Sequence, residues 1–484
     1  MLDWLLIAEI VYVIGIAAVC LRIVYETEST SKTLAYLLLT IFLPIGGIIV
    51  YFVIGTNYRK RKLYSKKIFK DEQLMHRVKI QIFRTSATSW KTVAAPLRKY
   101  RKLFTLLLNS NWSSLSTNNK VEILLNGEEK FASVLAALKA AKNHIHIEYY
   151  IFEDDEIGNA IKDVLIERAQ AGVEVRFIYD DFGSRSIRNT IVPALIAAGV
   201  KAYPFYRIFF IALANRLNYR NHRKIIVIDG NIGYTGGINI SDRYINKPGA
   251  DRDAYWRDTH LKITGPGVYY LQYLFICDWN FCSDQELDPD RDFFNTQVPE
   301  ETGALVQIAA SGPDSDDPTI MFSLVKAIGI AGKEILITTP YFIPGETLLD
   351  ALTVAALSGI KVKLLVPEQS DSKMVDLAAR SYYENLMRAG VEVYLYQKGF
   401  VHAKTMVVDA SLSVIGTANM DHRSFDLNFE VNSIIYDEII GRQLAKVFHQ
   451  DLLEAQRIDL EQWQHRSIFK QFPEKVARLF SPLL

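Results

Sequence analysis

Two stretches of the chain place a histidine, a lysine, an aspartate and an asparagine at matched intervals. The first holds His222, Lys224, Asp229 and Asn239; the second holds His402, Lys404, Asp409 and Asn419. Each reads His-x-Lys-x4-Asp, with the asparagine ten residues beyond the aspartate. Gly236-Gly237 precedes the first asparagine and Gly416-Thr417 the second. Side chains two apart on a strand share a face, so histidine and lysine emerge together while Ile225 and Val227 face the opposite way. The asparagine then arrives from the next strand across a tight glycine turn. A phosphodiester would find a nucleophile, an ammonium and an amide side by side. Two copies around one phosphorus suit a trigonal-bipyramidal transition state, whose extra charge sits on the non-bridging oxygens. One histidine would attack; the other would protonate the leaving oxygen and deprotonate the incoming alcohol.

The elements that must carry these residues read as a repeated α/β unit. His144 to Phe152 has strand character, Ile157 to Ala169 helical character, and Val173 to Tyr179 is the next strand, a βαβ rhythm. Glu334 to Phe342 repeats the first strand at an offset of 190 residues, and Ala389-Gly390-Val391 repeats Ala198-Gly199-Val200 at 191. The expected fold is α/β: two pseudo-twofold-related units, each a mixed or parallel sheet flanked by helices, sharing one active site.

The N-terminal region differs in kind. Residues 5–24 carry only Glu9 and Arg22 as charges, and 34–55 carry none. Each run is long enough as a helix to cross the roughly 30 Å hydrocarbon core, predicting a transmembrane hairpin. Pro44, Gly46 and Gly47 leave open whether the second run kinks or re-enters. Arg59, Lys60, Arg61, Lys62, Lys66, Lys67 and Lys70 follow the hairpin. The positive-inside rule then places the C-terminal body on the cytoplasmic side of the cell membrane, multi-pass and integral. The 484 residues carry a net charge of +1 and 49% hydrophobic residues, which argues against a nucleic-acid coat and against global disorder. Three cysteines make no disulfide framework. A homo-oligomer is left open.

The two His-x-Lys-x4-Asp motifs resemble those of the phospholipase D superfamily over about residue 120 to the C-terminus. The hairpin ending in Phe42 to Tyr51 and its basic flank extend the resemblance to bacterial cardiolipin synthases. The implied layout is a membrane hairpin over 1–58, a basic juxtamembrane linker over 59–115, a first phospholipase D-like repeat over 116–295, and a second over 296–484 with a C-terminal amphipathic segment. The implied activity joins two phosphatidylglycerols into cardiolipin and releases glycerol through a phosphatidyl-histidine, with no metal and no cofactor. A hydrolase, or a transferase using another lipid such as phosphatidylethanolamine, is the alternative.

The resemblance assigns His222 and His402 as nucleophile and acid/base, with His222 favoured as nucleophile. It assigns Lys224, Lys404, Asn239 and Asn419 to phosphate binding. Asp229 and Asp409 complete the motifs and are expected to be structural. Glu430 and Asp258 are the candidates for orienting the histidines, at 28 residues from His402 and 36 from His222 within their own copies. Thr417, where the other copy has glycine, would donate to phosphate or do nothing. His144, His146 and Glu148 alternate on one strand face like metal ligands, but no third histidine follows at ligand spacing; Glu148 is expected to border the site. Tyr341 holds the corresponding place in the second copy and is expected to line the pocket. Before His222 the first copy carries an aromatic, arginine-bearing insertion that includes Phe209, Phe210, Arg216 and Arg220. It is expected to dip into the membrane, admitting a lipid tail while arginines hold the headgroup.

Overall fold

The structure, a computed structural model, describes residues 4–27, 30–54, 90–91, 93–206, 219–247, 255–283, 285–287, 292–294 and 303–483. The chain divides into two units, one of residues 1–69 with 208–219 and one of 70–207 with 220–484.

In the first unit, helix α1 (Trp4–Glu26) contains a 21-residue apolar run, Leu6–Glu26, long and apolar enough to cross a membrane. Val11, Val13, Ile14 and Leu21 point outward. Its charged end is closed internally: Arg22 pairs with Glu26 at 2.9 Å, and the Tyr51 hydroxyl donates to Glu26 at 2.8 Å. The second apolar run is not one helix over 34–55. It breaks at Leu43 into α2 (Thr30–Phe42) and α3 (Pro44–Ile54). Proline at the first helical position ends α2 by excluding its preceding residue from helical geometry. At about 1.5 Å per residue these helices reach roughly 20 and 16 Å, each short of the hydrocarbon core. They touch at Gly47, where a Cβ would lie 2.5 Å from Thr40 Cα.

The second unit is built on one sheet of 16 strands. The first copy supplies β1 (Ser116–Leu125), β2 (His144–Tyr149), β3 (Glu174–Tyr179), β4 (Lys201–Pro204), β5 (Arg220–Asn221), β6 (Lys224–Ile228), β7 (Ile232–Gly236), β8 (Trp256–Arg257) and β9 (Thr259–Thr264). The second supplies β10 (Ala304–Ser311), β11 (Glu334–Thr338), β12 (Phe342–Ile343), β13 (Lys361–Pro367), β14 (Glu392–Tyr396), β15 (Phe400–Val401), β16 (Thr405–Val408), β17 (Leu412–Gly416), β18 (Met420–Asp421), β19 (Asn428–Tyr436) and β20 (Ala455–Arg457).

Sixteen of these form the large sheet, in the order β20-β14-β13-β11-β16-β17-β19-β10-β1-β9-β7-β6-β2-β3-β4 with β5 beside β19; β8 with β15 and β12 with β18 form two separate two-stranded sheets. The order reads as a mirror about the β10–β1 seam, so a pseudo-twofold relates the copies. In each half the βαβ strands pair in parallel and the motif strands antiparallel, giving a mixed sheet. Each half has its own apolar core: Ile145, Ile147 and Phe177 in the first, Ile335, Ile337 and Leu364 in the second.

The motif aspartates lie at the far ends of β6 and β16. Five strand residues, roughly 16 Å, separate Lys224 from Asp229, so they are not part of the histidine cluster. Both adopt left-handed backbone, φ 52°. The Asp229 carboxylate accepts from the backbone N–H groups of Lys142, Asn143 and His144 at 2.9, 2.7 and 3.0 Å. Asp409 does the same for Gly332, Lys333 and Glu334, and Lys99 pairs with it at 2.6 Å. Each holds the entrance of a core strand. Asp229→Ala should destabilise folding by roughly 1–3 kcal/mol, read by denaturant unfolding in detergent, while turnover per folded molecule is retained.

Candidate active site

The site forms where the two copies exchange short strands. β5, which leads into His222, pairs in parallel with the start of β19, which leads into Glu430. β15, which leads into His402, pairs in parallel with β8, which leads into Asp258. The expectation of orienting carboxylates within each copy is therefore corrected: the pairing is crossed. His222 Nδ1 meets both Glu430 oxygens at 2.9 Å, and His402 Nδ1 meets Asp258 Oδ2 at 2.7 Å. A carboxylate on Nδ1 keeps the proton there and turns Nε2 toward the site.

The two arrangements are not identical. Thr417 does not face a phosphate position; its hydroxyl donates to Glu430, and it also meets the Val431 amide at 2.9 Å. Asn428 donates to the same carboxylate at 3.2 Å. In the other copy Gly237 lies against Asp258, and a Cβ there would sit 2.1 Å from Asp258 Oδ1. Glycine leaves room for the carboxylate, whereas threonine gives the longer Glu430 a hydrogen bond.

The lysines accompany their histidines. Lys224 Nζ donates to the His222 carbonyl at 2.9 Å. Lys404 Nζ reaches both the His402 carbonyl, at 2.6 Å, and His402 Nε2, at 2.9 Å. The asparagines are held by one amide hydrogen each: Asn239 donates to the Tyr244 hydroxyl at 2.7 Å and Asn419 to Asp421 at 3.1 Å. The side-chain oxygens of both are buried with no partner.

Electrostatics follow from burial. Loss of water outweighs Glu430 and lowers His222 to about 4; burial and the Lys404 ammonium lower His402 to about 4. Burial brings Lys224 down to about 7 and Lys404 to about 8. Glu430 is pushed up by burial but held below the usual glutamate value by His222, Lys224 and Thr417. Near pH 7 the site therefore holds two neutral imidazoles and two lysines of reduced basicity, Lys404 mostly and Lys224 about half charged, and an anion would restore both charges.

The other expected residues are held as follows. Glu148 is fully buried and accepts from Asn221, the residue before His222. Its neighbours Arg223 and Asp278 form a buried ion pair. His146 is engaged by Gln272 and Arg176 and stacks on Phe275, so it works in packing. Tyr341 donates to Asp371 at 2.7 Å. Arg220 is buried over the Phe182 ring at 4.4 Å. Phe209, Phe210 and Arg216 lie outside the described residues, as does the basic run from Arg59 to Lys70.

Sequence reasoning missed Lys130. Buried on the helix Asn126–Lys139, it donates to the carbonyls of Ile238 and Asn239 at 3.0 and 3.1 Å, fixing the approach of Asn239. Tyr150, whose ring edge meets His222 at 4.7 Å between centroids, was also missed. A lone lysine on an amphipathic helix gives no signal of this role.

Paired His-x-Lys strands on a duplicated mixed sheet define the phospholipase D-like class. The family model described as "Cardiolipin synthase, PLD-like domain" matches residues 134–253 and 324–452, and a phospholipase D-nuclease N-terminal model matches 10–55. The chain is 40% identical to cardiolipin synthase 2 of Bacillus anthracis over 95% of its own length and 88% of that protein's. It is 38% identical to the major cardiolipin synthase ClsA of Bacillus subtilis over 99% of both. A solved phosphatidylserine synthase of Haemophilus influenzae Rd KW20 shares the fold, with a TM-score of 0.56 at 17% identity over 79% of this chain and 96% of that one. The chain belongs to the cardiolipin synthase family of phospholipase D-like proteins, phospholipid-transferring and membrane-associated.

Gly237→Ala should push Asp258 away from His402 and reduce turnover on the order of 100-fold, since a misplacement of about 1 Å is enough. Thr417→Gly, which removes the hydroxyl's bonds to Glu430 and the Val431 amide without displacing the carboxylate, should cost less. Parallel steady-state kinetics on both variants check the order.

Proposed function

We propose that the protein transfers a phosphatidyl group from one phosphatidylglycerol to a second, giving cardiolipin and glycerol. The observation that carries this reading is the crossed pair of histidines, each with Nδ1 fixed by the opposite copy's carboxylate. His222 Nε2 attacks phosphorus. The P–O bond to glycerol breaks, and His402 supplies the proton that leaves with glycerol. A hydroxyl of the second phosphatidylglycerol then gives its proton to His402 and attacks phosphorus, and the P–N bond to His222 breaks. The assignment of His222 as nucleophile is supported by the contacts at Nε2: Lys404 already engages that atom of His402. Thr417, Asn428 and His222 converge on Glu430, which favours an ionised carboxylate behind the attacking ring. The bound phosphodiester brings negative charge between the histidines and raises the pKa of His402, allowing it to carry the proton. Lys224, Lys404, Asn239 and Asn419 bind the non-bridging oxygens as their charge grows. A multi-pass N-terminal segment and a cytoplasmic body complete the reading.

Purified protein in phosphatidylglycerol vesicles, with chelator and no added metal, should release cardiolipin and glycerol in equal amounts, and His222→Ala or His402→Ala should abolish both. Phosphatidic acid without cardiolipin would make the enzyme a hydrolase. No turnover of this lipid would move the search to another donor such as phosphatidylethanolamine.

The pH profile of kcat/KM reports the free enzyme. It should rise with pH through about 4 as the nucleophile His222 loses its proton; His402 adds nothing to that rise, because it must hold its proton in the complex. It should fall through about 7 to 8 as Lys224 and Lys404 lose theirs.

A further inference from the structure

The helix Ile468–Arg478 is turned inside out relative to a soluble surface helix. At 100° per residue, Ile468, Phe469, Phe472, Val476 and Leu479 share one arc of about 100°. That arc points to solvent: Ile468 is 71% exposed, Phe469 88%, Phe472 64% and Leu479 77%. The face that anchors the helix is small and polar instead. Ala477 is buried, and Glu474 is buried in a two-bond ion pair with Arg466 at 2.7 and 2.8 Å. The sole acid of the helix is thus used internally. Lys470 and Lys475 are exposed, and Arg478 lies over the Tyr382 ring at 4.5 Å.

The position in the fold gives this face a purpose. The helix packs along the helix Lys373–Arg388, and the Tyr382 hydroxyl meets Ser481 at 3.0 Å. The turn Ser481–Leu483 then packs on the short helix His422–Asp426, which begins three residues after Asn419. The Ser424 hydroxyl of that short helix accepts from the Asn419 backbone N–H at 3.1 Å. A chain of direct contacts therefore runs from the exposed aromatic face to a phosphate-binding asparagine.

We propose that the Ile468–Phe480 segment is an interfacial membrane helix, its aromatic face seated among the acyl chains of an anionic phospholipid surface and its cations among the headgroup phosphates, holding the active-site mouth at that surface. Exposed phenylalanines flanked by lysines, on a membrane-associated chain, fit the headgroup–acyl boundary. The surface rests on membrane association alone, not on the identity of the lipid donor.

The test uses the full chain carrying Phe472→Trp, reconstituted in vesicles of phosphatidylglycerol and acyl-brominated phosphatidylcholine. Bromine quenches an indole only on contact. The emission added over the unaltered protein should fall about twofold or more against unbrominated vesicles if the ring is immersed. Equal emission in both vesicles overturns the proposal. Phe469→Ser with Leu479→Ser should lower turnover of vesicle lipid several-fold and leave turnover of detergent-dispersed lipid unchanged. Equal losses in both media make the face a packing surface and overturn the proposal. A change of particle size in detergent gives the face to a second copy and also overturns it. Quenching needs no turnover, so this result and that of the transfer assay are independent.

Discussion

Everything in the site depends on one exchange across the pseudo-twofold: each histidine is held by a carboxylate of the other copy. The exchange is enforced by backbone before any side chain acts. Two-residue parallel pairings, β5 with β19 and β8 with β15, carry each histidine to its partner. The β10–β1 seam, two residue pairs either side of a register shift, sets the separation of the halves. An imidazole fixed through Nδ1 has one free ring nitrogen and one orientation, which is what a nucleophile and an acid/base need.

Burial does the rest of the tuning. Fully desolvated lysines are weak acids made stronger, and desolvated histidines resist protonation. Such a site is costly to keep charged when empty and is relieved by a phosphodiester anion. Asn239 and Asn419 each use one amide hydrogen on a neighbour, and the second is what each can offer a phosphate oxygen. The motif aspartates contribute from a distance, by tying the loops that start β2 and β11. The order of the sheet then makes the two motif strands neighbours of those anchored strands.

Much of this was legible in the residues. The repeat offset near 190, the strand periodicity and the paired motifs gave the duplicated α/β fold and the histidine–lysine–asparagine sets. The crossed pairing was not legible, because a two-residue strand has no hydrophobic period and the spacings of 28 and 36 residues pointed inward to each copy. Thr417 could be seen as a departure, but its partner Glu430 is fixed only by the register of β17 on β19. Lys130 is invisible for a different reason: its burial comes from packing beneath the Ile238–Asn239 turn, not from its own helix pattern. The break at Pro44 was readable as a break, whereas the close approach of Gly47 to Thr40 is a tertiary fact.

The mirror order of the sheet also governs how the halves can diverge after duplication. In two independent sites, one copy could decay while the other kept working. Here neither half contains a complete histidine–carboxylate couple. A change at Gly237 or Asp258 is felt by a histidine of the second repeat, and one at Thr417 or Glu430 by a histidine of the first. The duplicated segments are thus inherited as a single unit of selection: redundancy in sequence without redundancy in operation.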